Sequence, residues 1–78
     1  MAKLTPQQAF GVVLRELREQ RGFTQEAFAL ECDVDRTFVG LMERGQRQPT
    51  LTTLFRLAGP LNLRPSALLR RVEALIAD

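Results

Sequence analysis

Apolar residues recur along this chain at intervals of three and four. Phe10, Val13, Leu14 and Leu17 share one face if that stretch is helical, as do Leu51, Leu54, Phe55 and Ala58. Leu68, Leu69, Val72, Leu75 and Ile76 cover more than one face of a final helix. β-branched residues are few and lack a period of two, so no strand is predicted. The pattern predicts an all-α domain.

The residues between these stretches set the ends of five helices. Thr5 and Pro6 open the first, and Gly22 closes it. Thr24 caps the second, which runs to about Cys32, and Asp33-Val34 form a turn. Asp35 caps the third and Gly45 ends it; Gln46 to Pro49 make a polar loop. Thr50 caps the fourth, which Gly59-Pro60 weakens or kinks near its end. Pro65 starts the fifth, which continues to about Ala77. Positions 1–78 therefore form one domain, with the second and third helices and their turn over about 24–44 and the last helix over 65–77.

The pair of short helices joined by a tight turn carries the chemistry. Ala29 is small where the two helices cross, and Phe28, Val39 and Met42 are spaced to bury between them. Asp33 stands where positive φ is needed, a conformation that Asp and Asn tolerate better than most residues. The outward face of the third helix carries Arg36, Thr37, Gly40 and Leu41. An arginine at the start of such a helix matches the O6 and N7 of guanine, and Thr37 suits a base edge, a phosphate or a thymine methyl. Gly40 costs roughly 1 kcal/mol in a helix relative to alanine. Either close approach to DNA or packing against the fourth helix accounts for it.

Charge strengthens this reading more than the net +2 suggests. From Arg36 to Arg71 seven arginines (36, 44, 47, 56, 64, 70, 71) stand against one acid, Glu43. Before residue 36, six acids face four bases. The basic stretch begins at the helix proposed to enter the groove, which points to a polyanionic partner. The 78 residues contain no histidine and a single cysteine, Cys32. A histidine-assisted nucleophile, an intramolecular disulfide and a cysteine-histidine metal set are thereby excluded. No catalytic constellation, cofactor site, small-molecule ligand or membrane segment is indicated, so the chain reads as a soluble, cytoplasmic non-enzyme.

Two strings, LRELREQRGFTQEAFA and DRTFVGLMERGQRQPTLTTLFRLA, resemble the Cro/repressor-type (XRE) helix-turn-helix proteins over residues 10 to 58. DRTFVGLMERGQR is most similar to the controller proteins of restriction–modification systems. The resemblance implies a lambda-repressor-like fold and a sequence-specific regulator of transcription that binds double-stranded DNA. It implies that Arg36 and Thr37 read bases, and that Gln25 bonds a phosphate and braces the start of the third helix. Phe38 would lie beside the DNA backbone, burial being its alternative. Arg47 would reach a phosphate or groove edge, and Arg44 would either join it or remain a solvated charge at the helix end. Arg18 and Glu43 match a structural ion pair tying the first helix to the third.

The chain departs from the family at Asp33, often Gly, at Arg64, usually a capping Ser, Thr or Asp, and at Gly59-Pro60. Cys32 falls where the family carries a buried small or apolar residue, which leaves a redox role as a minor reading. One reading helix cannot select a single genomic site, so a homodimer on a palindromic, autoregulatory operator is expected. Leu61, Leu63, Leu68, Leu69, Val72, Leu75 and Ile76 are the candidate interface. RNA polymerase would be a further partner if the protein activates, whereas a repressor blocks by steric exclusion. Two alternatives stand beside this one: an antitoxin that also grips a toxin, and a protein-interaction module on the same fold that does not read DNA.

Overall fold

The computed structural model describes residues 3–77; Met1, Ala2 and Asp78 at the ends of the expected domain lie outside the described residues. Among the described residues the chain forms five helices and no strand: α1 (Pro6–Gln20), α2 (Gln25–Cys32), α3 (Arg36–Glu43), α4 (Leu51–Ala58) and α5 (Pro65–Ile76). α1 is the central element, packing against α3 on one side and α5 on the other. The largest fully buried side chains are Phe28, Leu14, Met42, Leu57, Leu68 and Val39.

Local chemistry accounts for the helix starts. Thr5 and Gln8 form a reciprocal capping box, Thr5 Oγ1 accepting from the Gln8 amide and Gln8 Oε1 from the Thr5 amide. Thr24, Asp35 and Thr50 each accept a first-turn amide at the head of α2, α3 and α4. Arg64 has no such side-chain bond, so α5 starts only on the fixed φ of Pro65.

Four helix ends close in one way. Gly22, Asp33, Gly45 and Asn62 all have positive φ, at 77°, 57°, 74° and 59°. After each, an amide reaches back five residues: Phe23 to Arg18, Val34 to Ala29, Gln46 to Leu41 and Leu63 to Ala58. Phe23, Val34 and Leu63 then turn inward against the core. Gly59-Pro60 therefore does not kink α4. The helix ends at Ala58, and the pair lies in a closing turn whose left-handed residue is Asn62.

One expected face was misassigned. Leu54, Leu57 and Ala58 are the buried residues of α4, whereas Leu51 and Phe55 are 72% and 60% exposed. Both stand on the flank of the helix, a rotation of about 100° or less from the buried stripe, which the i, i+3, i+4 spacing alone does not resolve.

Candidate nucleic-acid interface

The C-terminal end of α3 and the turn after it are held by α1 residues spaced at helical intervals, Gln7, Gly11 and Arg18, with Leu14 on the same stripe. Gln7 Nε2 donates to the Gly45 carbonyl at 2.8 Å, fixing the turn that leaves α3. Gly11 permits a close approach of the two backbones. A Cβ there would lie 2.3 Å from the Met42 carbonyl oxygen and 2.9 Å from that of Glu43. Leu14 is fully buried. Arg18 completes the stripe with a bidentate pair to Glu43, Nε to Oε2 at 2.6 Å and Nη2 to Oε1 at 3.0 Å.

The Arg18–Glu43 pair is part of a wider network. Arg18 Nη1 also donates to the Phe23 carbonyl at 2.7 Å, and Gln25 Nε2 donates to Glu43 Oε1 at 3.0 Å. Three helices thus converge on one carboxylate whose side chain is 3% exposed. The Glu43 hydrogen bond raises the Arg18 pKa above its ordinary value against the opposing effect of burial. No buried side-chain nitrogen or oxygen lacks a partner among the described residues. Gln25 therefore braces the end of α3, not its start as expected. Glu43 offers acceptor positions there, while the start of α3 is already capped by Asp35.

With Val39 and Met42 locked inward, the opposite side of α3 must face out. Arg36 and Thr37 are exposed in its first turn, Leu41 is half-buried, and Arg44 is exposed at its end. Arg36, Gly40 and Arg44 stand four residues apart and form a single row. With Thr37 and Gln25 they line a polar cleft of about 220 Å³. Arg47 is exposed in the following loop, and Phe38 is half-buried against the core. Gly40 is buried, and packing against α4 does not account for it. Its nearest neighbours are the Arg44 guanidinium and the Gln25 amide oxygen, not α4 and not open surface.

The leucine set expected at a dimer interface divides. Leu61, Leu68 and Val72 belong to the monomer core, because the inward face of α5 is needed to cover α1. Buried in the monomer, they do not face a partner as expected. Leu69 and Leu75 are exposed, and Leu63 and Ile76 are half-buried. Cys32 is buried, and its thiol is pushed up to about 12, chiefly by desolvation with a contribution from Glu31. Burial thus suppresses the thiolate that redox chemistry requires. Among the described residues no group of side chains is arranged to hold a metal ion, and no helix is long and apolar enough to cross a membrane.

Comparison with known proteins points the same way. A family profile described as helix-turn-helix matches residues 14–68. The control protein C.MunI of a Mycoplasma species is 34% identical over 65 residues, covering 82% of this chain and 88% of that protein. The restriction–modification controller C.AhdI from Aeromonas hydrophila superposes with a TM-score of 0.75 at 43% identity, covering 78% of this chain and 92% of that one. The controller C.Esp1396I, solved as a tetramer with its natural 35-base-pair operator, has a TM-score of 0.84 at 22% identity, covering 97% of this chain and 100% of that one. That last likeness shows the fold alone.

Proposed function

We propose that this chain, which belongs to the helix-turn-helix family, is a sequence-specific transcriptional regulator that binds a palindromic operator as a homodimer. The observation that carries the proposal is the outward face of α3. Arg36 and Thr37 stand exposed at its head, while Val39 and Met42 are buried on its inner face and a network of buried hydrogen bonds fixes its C-terminal end. A helix held this firmly presents base-reading groups in a set geometry, so little ordering cost remains at binding. Arg36 would donate to guanine and Thr37 would read the neighbouring base, with Leu41 at the edge of the same surface. Gln25, Arg44, Arg47 and the exposed edge of Phe38 would lie along the backbone.

One copy supplies too little discrimination, since each good base contact is worth roughly 1–3 kcal/mol. A second copy, reading a half-site about one helical turn (~34 Å) away, supplies the rest. The surface offered to it is Leu69 and Leu75 with Leu63 and Ile76 at the margin; Leu51 and Phe55 add exposed apolar area in the same half of the chain. Likeness to control proteins across most of both chains supports a controller of a restriction–modification system that acts on its own promoter.

Titration of labelled DNA from the chain's own upstream region tests the reading. Affinity should fall steeply with salt. Arg36→Ala should lose about 10- to 100-fold of the preference for operator over a substituted site while weak, salt-sensitive binding persists. Unchanged discrimination would remove Arg36 from the reading role, and absence of binding by the unmodified protein would remove the function.

A further inference from the structure

Gly40 sits in the interior of α3, where glycine is less favourable than alanine. Its backbone does not call for glycine, since the glycines with positive φ are Gly22 and Gly45. Space does. A Cβ on Gly40 would lie 3.1 Å from Arg44 Nη1, 3.9 Å from Arg44 Cζ and 3.7 Å from Gln25 Oε1. The missing side chain is thus a notch, with the Arg44 guanidinium laid over it one helical turn back along the row that begins at Arg36. Gly11 is the instructive contrast. A Cβ there meets backbone carbonyls that cannot move, so Gly11 serves the fold. At Gly40 the obstructing atoms belong to the mobile end of an arginine and the fold has no stake in them.

We propose that Gly40 is a positioning residue whose bare α-carbon seats the Arg44 guanidinium against the outward face of α3, presetting Arg44 as a phosphate contact beside Arg36. The proposal rests on the nucleic-acid reading above. In the free protein Arg44 is folded back over Gly40 beside Gln25, at the cleft these residues share with Arg36 and Thr37. Lying there, it already occupies the face that would meet DNA. A methyl group at position 40 lifts it by a few tenths of an ångström or more and frees it to sample solvent.

A double-mutant cycle on the full chain separates this from other roles. The variants are Gly40→Ala, Arg44→Ala and the pair, and the readouts are operator affinity, its salt slope and thermal unfolding. Arg44→Ala should weaken operator and substituted DNA alike and lower the salt slope by about one. Gly40→Ala should weaken binding about tenfold in the original chain and less than about twofold when Arg44 is already alanine, a coupling typical of contacting residues. Its unfolding midpoint should stay level or rise. An equal loss in both backgrounds would mean that the methyl group itself obstructs DNA, which overturns the proposal. So would an Arg44→Ala variant that binds as the original does, or a Gly40→Ala variant with no loss of affinity. If the unmodified chain binds no DNA, the reading beneath the proposal falls and takes the proposal with it. If it binds and only the coupling is missing, the proposal alone falls.

Discussion

The two halves of this domain treat their surfaces in opposite ways. In the α1–α3 half the polar groups that matter are turned inward on one another. Arg18, Gln25, Glu43 and the Phe23 carbonyl satisfy each other under the protein surface, and the outward side of α3 is left to arginine and threonine. In the α4–α5 half it is apolar surface that remains unspent: Leu51, Phe55, Leu69 and Leu75 face outward, and α5 begins without a side-chain cap. A rigid polar face suits a ligand that is itself rigid and charged. An apolar flank on a helix with a weak start suits contact with protein, where burial supplies the stabilisation the monomer lacks.

The sharpest way to break this comparison is to open the buried network. Arg18→Ala leaves Glu43 with an uncompensated carboxylate in a nearly dry site, a change that costs about 3–5 kcal/mol. Urea unfolding should show that loss, and a change below about 1 kcal/mol would mean that solvent already reaches the pair. Next in size is the apolar flank. Leu69→Ser should raise the dissociation constant for self-association about tenfold or more, as truncating an interface anchor does. The unfolding free energy of the monomer should move by no more than about 0.5 kcal/mol, the usual range for a surface site. Sedimentation velocity over a concentration series reads the first quantity, and unchanged association would place the second copy elsewhere. The smallest effect expected is at the start of α5. Arg64→Ser supplies the missing cap and should add about 0.5–1 kcal/mol, with slower amide exchange in the first turn of α5. No gain would mean that tertiary contacts already hold that turn.

Much of this architecture was legible residue by residue. Thr5, Thr24, Asp35 and Thr50 announce helix starts because a short side chain with an oxygen has few better partners than the free amides of a first turn. Asp33 was legible as a left-handed residue, but Asn62 was not, since Gly59-Pro60 beside it is the louder signal. Gly11 and Gln7 gave no sign in the sequence. Each acts on α3 from α1 through a contact more than 30 residues away along the chain, and a lone Gly or Gln inside a helix carries no record of what it faces. The same holds for α5. Five apolar residues there exceed what one face can bury, but which of them α1 claims depends on how the helix is rolled.

Five helices, four of their N-terminal caps and the exposed Arg36-Thr37 head of α3 were legible in the residues alone. These follow from chemistry that acts within about four residues: capping oxygens, fixed proline φ and the 3.6-residue repeat. Tertiary structure alone decided how α3 is anchored, that Gln25 serves Glu43 at the far end of α3, that Gly40 lies beneath Arg44, and which leucines are left for a second copy. Those outcomes depend on the roll and separation of packed helices, which are set by the volumes of side chains distant in sequence.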